Sequence, residues 1–365
     1  MNSVIFSSCI VTEDKLWFVT QDPYFMNMDI YTQECEFVEV QNIENISFGQ
    51  VFNSMLVNGR EIFWVERDGK HLVRYSIEEK VCKFYDLPPV EYKNWLCFWG
   101  IALFQSKIYI FSRHTPVIII FDIVDESYLV EDSFYLELKG QMPAGMVVDN
   151  DVVYFFGDDG ESIVKFFLND ASYSIEKLPK RLINIISASM SGECVYFLCE
   201  RGICVWNIVS NEFEKEYGFD NNDRAFSRIA ISKEKIFLLP EREGEILVIN
   251  RKTGEYKELN DRPDDFRFSI HQWANYEEYF ENEEYIWYAI RSANYYLRID
   301  KINSKAEWFK PLPPSDEEHW RYCLKIRKTF YSEGEIDLPL FLKYDFHQDD
   351  KPAGQNIGQQ IWEKL

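Results

Sequence analysis

The chain has no apolar run fit to cross a membrane. Its longest aliphatic stretch, VIIIF at Val117–Phe121, falls far short of the ~20 residues that a spanning helix needs. Basic residues are scarce: 39 Lys and Arg stand against 61 Asp and Glu, for a formal net charge of -22. That deficit excludes nucleic acid as the expected partner, because phosphate binding needs a surplus of Lys and Arg on one surface, and it argues against an anionic membrane too. The eight cysteines include no CxxC pair, so free thiols are expected rather than disulfides or a zinc site. The opening MNSVIFSSCIVTEDK lacks the basic n-region and long apolar core of a signal peptide, and a cytoplasmic location is expected. No GxSxG, HExxH, GxxxxGK[ST] or dinucleotide fingerprint is present, so no local motif assigns a catalytic residue, a cofactor or a metal. A sustained apolar period of 3.6 is also missing. Little helix is therefore expected, and only NIGQQIWEKL at Asn356 reads as either a short amphipathic helix or an outer strand.

What the chain does have is repetition. IFSSCIVTEDKLWFV at Ile5–Val19 aligns without a gap on VFNSMLVNGREIFWV at Val51–Val65, and FWGIALFQSKIYIF follows at the same offset. Equivalent positions are Leu16, Ile62, Ile108, Val153, Val195, Ile236, Ile286 and, less clearly, Thr329, spaced 41 to 50 residues apart. About thirteen residues after most marks comes a second extended stretch, such as HLVRYSI, VIIIFDI, GICVWNI or YYLRIDK, and then a more polar strand such as CKFYDLP or AEWFKPL. Four short antiparallel strands per ~40 to 45 residues is the period of a β-propeller blade, whose apolar faces are buried only by stacking on the neighbouring blades.

The expectation is an all-β chain, one propeller domain over residues 1–365, with blades beginning near 4, 50, 97, 142, 184, 225, 272 and 319. Eight blades are favoured because FLKYD near the end matches YLRID at Tyr296, with QQIWEKL as a candidate last strand; the alternative is seven blades plus a C-terminal cap.

In an up-and-down blade, the turns joining strands two and three and the connections between blades emerge on one face. The expected turns there carry Arg113, His114, Arg201, Arg242 and Arg291, and the connections carry Trp95, Trp99, His271, Trp273, His319, Trp320 and Arg321. Arginines around such a rim suit a carboxylate, phosphate or acidic peptide, and loop tryptophans suit an anchor role. Glu-Arg pairs at turn tips also read as solvated charge or interblade salt bridges. His114, His271 and His319 would make a cation site only if their loops met, which spacing does not require.

Through the strand-two aromatics Trp17, Phe63, Tyr109, Tyr154, Tyr196, Phe237 and Trp287, and third strands such as LVRYS and YLRID, the chain resembles bacterial β-propellers of the broad Kelch and WD40-like group. It departs from both: Glu66-Arg67 or Glu200-Arg201 stands where Kelch proteins carry a double glycine, and the WD40 GH and WD pairs are missing. The resemblance implies a rigid platform for a protein or peptide, and that noncatalytic scaffold is the expected function. The alternatives are a hydrolase or lyase acting on a carbohydrate or lactone in the central pocket, with residues such as Glu200, His114, His319 and Arg321, or a small-ligand sensor.

Overall fold

In a strand, successive side chains point to opposite faces, so a run such as Ile108–Tyr109 feeds two different apolar layers. The computed structural model of this chain is built on that alternation. It describes residues 6–12, 14–20, 25–38, 40, 55–65, 71–88, 98–112, 117–131, 143–157, 160–219, 226–240, 245–259, 261–266, 278–281, 284–289, 295–315, 318, 331–332 and 335–336. The chain divides into two units, Met1–Gln41 with Ser47–Pro314, and Asn42–Ile46 with Ser315–Leu365.

The first unit holds seven four-stranded antiparallel blades, each paired in simple sequence order from inner to outer strand. Blade 1 comprises Phe6–Thr12, Lys15–Thr20, Phe25–Asp29 and Cys35–Phe37. Blades 2 to 7 run from Met55 to Asp86, Phe98 to Glu131, Pro143 to Lys177, Ile185 to Gly218, Phe226 to Leu259 and Glu278 to Phe309.

All seven repeat marks from Leu16 to Ile286 are fully buried, and the seven aromatics that follow them are buried too. Their roles differ by one residue of register. Ile108 packs into the layer shared by blades 2 and 3, whereas Tyr109 packs into that shared by blades 3 and 4. Val195 and Tyr196 divide in the same way between the 4–5 and 5–6 layers. Each of these interblade cores thus takes an aromatic from one blade and an aliphatic residue from the next, so a blade buries both apolar faces only against its neighbours.

The eight-blade expectation is corrected. The inner strand of blade 1 packs directly on the inner and second strands of blade 7, which leaves no place for another blade between them. Beyond blade 7 the chain pairs with the outer edge of blade 1: Leu312 N–H donates to Gln33 O at 2.8 Å and Cys35 N–H to Leu312 O at 2.9 Å. This contact latches the ring. Thr329, FLKYD and QQIWEKL, read as parts of an eighth blade, lie outside the described residues. In the second unit, Tyr331–Ser332 pairs antiparallel with Glu335–Ile336. There Ser315 and Glu318 exchange capping hydrogen bonds: Glu318 N–H donates to the Ser315 hydroxyl at 3.2 Å, and Ser315 N–H to the Glu318 carboxylate at 2.9 Å. No helix among the described residues is long and apolar enough to cross a membrane.

The face bearing the strand 1–2 and 3–4 turns is tied down in every blade. The residue after each third strand donates its N–H across to the 1–2 turn, as Ile30 to Asp14 O, Ile123 to Ser106 O and Lys301 to Glu284 O, at 2.7–2.9 Å throughout the seven blades. In blades 1, 3, 5, 6 and 7 the preceding Asp or Asn (Asp29, Asp122, Asn207, Asn250, Asp300) accepts two N–H groups two and three residues on.

Candidate functional site

The opposite face holds the strand 2–3 turns and the blade connections. At its axial end five inner strands bulge at their second residue, leaving Ser7, Trp99, Ala144, Ile186 and Ser227 unpaired in the register of blades 1, 3, 4, 5 and 6. Bulges of this kind re-aim a strand end and are frequent beside binding sites.

One described sector of this face lies between blades 4 and 5. Gly160, at φ +63°, lets the 2–3 turn of blade 4 approach the connection so closely that an added Cβ would stand 1.9 Å from Leu182 O. Leu182 N–H donates to Gly160 O and Leu178 N–H to Glu161 O, both at 2.8 Å, so the connection is pinned to the turn. Arg181 Nε lies 3.7 Å from Glu161, and Asn184 Nδ2 donates to Glu200 at 2.6 Å. Held between these contacts, Ile183 is 70% exposed and Ile186 39%. On the turn face, exposed Tyr31, Val124, Val209 and Ile302 stand one per hairpin, whereas Ile183, in the connection, and Ile186, at the bulge of the blade 5 inner strand that follows it, are only three residues apart.

A second sector lies between blades 6 and 7. Phe266, in the connection leaving blade 6, packs edge-on to Trp308 at 4.9 Å between centroids and beside Tyr295 at 6.1 Å, with the Arg262 guanidinium 5.5 Å over its ring. The Tyr295 hydroxyl donates to Asp265 at 2.5 Å, and Lys310 caps the same carboxylate. The hydrogen bonds from Lys310 and then Tyr295 hold Asp265 below the usual carboxylate range, while burial and Asp265 push Tyr295 up to about 12.

Of the residues expected at the site, Trp95, Arg113, His114, Arg242, His271, Trp273, Arg291, His319, Trp320 and Arg321 lie outside the described residues. Arg201 is where it was expected, exposed at the tip of the 2–3 turn of blade 5, with its carbonyl accepting Phe219 N–H at 3.1 Å. Trp99 is corrected: it stands in the inner strand of blade 3, at the bulge, not in a connection. The segment FWGIALF, from Phe98, forms that inner strand. The sequence reading names none of Arg181, Ile183, Asn184 and Ile186; their signal is RLINII, an apolar-rich stretch that spans the end of the connection and the start of the blade 5 inner strand. Among the described residues no group of three or more His, Cys, Asp or Glu side chains converges as a cation site.

No family model matches the chain, and no curated protein matches it. Solved structures do. Virginiamycin B lyase from Staphylococcus aureus superposes with a TM-score of 0.58 at 12% identity, covering 80% of this chain and 94% of that one. YCF48 bound to D1 peptide gives 0.58 at 11%, covering 81% and 91%. The β-propeller domain of Cps50 (Swd1) from Myceliophteria thermophila gives 0.55 at 11%, covering 85% and 97%. At such identities the likeness establishes that this chain has the β-propeller fold and carries no activity with it.

Proposed function

We propose that the protein is a noncatalytic scaffold that holds a peptide segment of a partner protein on its connection face. The observation that carries this reading is the exposed pair of Ile183, in a connection pinned at Gly160, Leu178, Leu182 and Asn184, and Ile186, at the bulge where the blade 5 inner strand begins. Two apolar side chains where the connection meets the inner strand, flanked by Arg181, Arg201, Glu161 and Glu200, have the make-up of an interface centre with a polar rim. A net charge of -22 steers a basic segment toward the molecule, so the partner chemistry is an apolar anchor in basic surroundings. YCF48, of the same fold, is a propeller seen with a peptide, which agrees with this use of the architecture.

The test is panning of a random peptide library against the full chain, followed by titration of the selected peptides on an Ile183→Asp, Ile186→Asp variant. Binding is expected to weaken by about a hundredfold, ~2.7 kcal/mol, with an unchanged melting temperature. Selected peptides that bind the variant equally well would overturn the assignment of this segment.

A further inference from the structure

A sheet edge accepts another strand unless something blunts it, and a charged side chain on the outer strand is one common means. In every blade one outer-strand residue pairs with the third strand two places before that strand ends. It is Glu36, Lys83, Ser174, Lys215, Lys257 and Glu307 in blades 1, 2, 4, 5, 6 and 7, polar in each case. In blade 3 it is Leu129, which pairs with Ile120 and is 58% exposed. Lys83 and Lys215 also reach the next blade, at Glu126 and at Arg251 O, a bridge that leucine does not offer.

Across the same interblade layer stands a second exposed aliphatic residue. Ile120 of blade 3 and Val164 of blade 4 belong to one core, and Val164 pairs with Ile175, which is 38% exposed on the outer strand Tyr173–Lys177. Leu129 and Ile175 therefore line opposite walls of a groove that carries this core out to the circumference. Glu131 shares the wall of Leu129, Lys177 shares that of Ile175, and Asp125 and Asp170 are exposed in the 3–4 turns of the two blades. The chain itself shows how an outer edge is filled. At blade 1, Leu312 pairs parallel with Glu34 and takes up backbone hydrogen bonds with Gln33 and Cys35.

We propose that blade 3 takes an extended basic segment of a partner protein as a fifth strand, added along Ser127–Glu131 with an aliphatic side chain set between Leu129 and Ile175. Main-chain hydrogen bonds to the edge supply affinity, and strand alternation sends every second side chain of the segment into the groove, where the two aliphatic walls select it. Lys or Arg at the other positions meets Asp125, Glu131 and Asp170. A second copy of this chain does not suit the groove: two bodies of net charge -22 repel, whereas a Lys- or Arg-rich strand is drawn in. The groove lies on the circumference, apart from Ile183 and Ile186 on the connection face, and its use does not depend on them.

The experiment uses the full chain carrying Ile183→Asp and Ile186→Asp, so that the connection-face pair plays no part and the two readings fail separately. Heptapeptide libraries with either Lys or Glu fixed at alternate positions are panned against it. Binders are expected from the Lys library alone, with Val, Ile or Leu selected in between. Adding Leu129→Ser, the residue type that blade 4 carries there, is expected to weaken these peptides about tenfold at an unchanged melting temperature. Ile175→Thr should act in the same direction from the other wall. With peptide bound, hydrogen exchange should slow at the amides of Ser127–Glu131 and stay as it was on the outer strands of the other blades. Binders from the Glu library, no binder from either, equal affinity after Leu129→Ser, or protection gained on a different blade would each overturn the proposal. Self-association of the wild-type chain that Leu129→Ser abolishes would overturn it too, by making a second copy the occupant.

Discussion

The guanidinium of Arg251, in the outer turn of blade 6, hydrogen-bonds the Tyr196 hydroxyl of blade 5 and lies 4.9 Å over the centre of its ring. Arg251 stands where blades 1, 2, 3 and 5 carry Ile30, Ile77, Ile123 and Ile208, and its other amino group reaches Ser191 at 3.1 Å, Ser232 O at 2.8 Å and Lys233 O at 2.9 Å. One side chain thus joins two blades by a cation–π contact and a fan of hydrogen bonds. Replacing Arg251 by Met, which keeps the stem but no donors, is expected to cost about 2 kcal/mol. Arg251→Lys should recover less than half of that loss, because an ammonium cannot span all these acceptors. Urea midpoints of the two variants check the order; equal stability of wild type and Met variant would make the junction decorative.

Gly160 and Gly59 offer a matched pair. Both have a positive φ, +63° and +61°, but a Cβ at Gly59 meets nothing within 4 Å while one at Gly160 meets Leu182 O. Gly59→Ala should cost about 1 kcal/mol, from the left-handed backbone alone. Gly160→Ala must also push away the connection that carries Ile183, so a loss of ~3 kcal/mol and weaker peptide capture are expected together. Thermal melts and the titration described above measure both.

How much of this was legible in the sequence depends on which interaction fixes each residue. The repeat marks were readable because Leu16, Ile62 and their equivalents are dictated by interblade packing, which leaves a periodic apolar signal. The number of blades was not, because similarity between FLKYD and YLRID says nothing about whether the ring has already closed; closure is set by blade 1 meeting blade 7 and by Leu312 pairing with Gln33 and Cys35, contacts between residues far apart in the chain. The turn motif was present as DIYTQE, DIVDES, NIVSNE and DKINSK, each with a left-handed residue four positions after the Asp or Asn, but without a glycine in most copies it did not read as a turn signature. At the site, Trp99 belongs to the inner strand Phe98–Phe104, where the bulge leaves it out of the ladder; a bulge of this kind depends on the partner strand and leaves no mark in the apolar pattern.

Asp265 and Tyr295 set opposite pH limits on the sector between blades 6 and 7. Asp265 is held below its unfolded value, so its contribution is present above that value, about 3.9, and is lost as pH falls through the lower folded one. Tyr295 is raised to about 12, so its contribution is intact below about 10, the unfolded value, and disappears as pH climbs from there toward the folded one. Asp265→Asn is expected to flatten the acid limb of the stability curve. It should also bring one phenol into titration earlier, since the carboxylate that accepts the Tyr295 proton is gone. Ultraviolet titration of the phenolates in Asp265→Asn and in an Asp265→Asn, Tyr295→Phe double variant identifies that phenol; an unchanged profile would show that Asp265 does not govern Tyr295.

The ring latch separates backbone from side chain at one position. Leu312 is half exposed, so its side chain contributes little, yet its N–H and C=O both bond blade 1, to Gln33 O and from Cys35 N–H. Lys310 N–H adds a bond to the Gln33 side chain at 2.8 Å. Leu312→Ala keeps every one of these backbone bonds and should fall within about 0.5 kcal/mol of wild type. Leu312→Pro removes the N–H that Gln33 O accepts and is expected to cost ~2 kcal/mol. Because the lost bond joins the last blade to the first, the Pro variant should also exchange the amide of Cys35 with solvent faster, while the amides of blades 4 and 5 stay protected. Hydrogen exchange on the two variants reads this directly: equal protection at Cys35 in the Ala and Pro variants would mean that packing between the inner strands of blades 7 and 1 closes the ring without the latch.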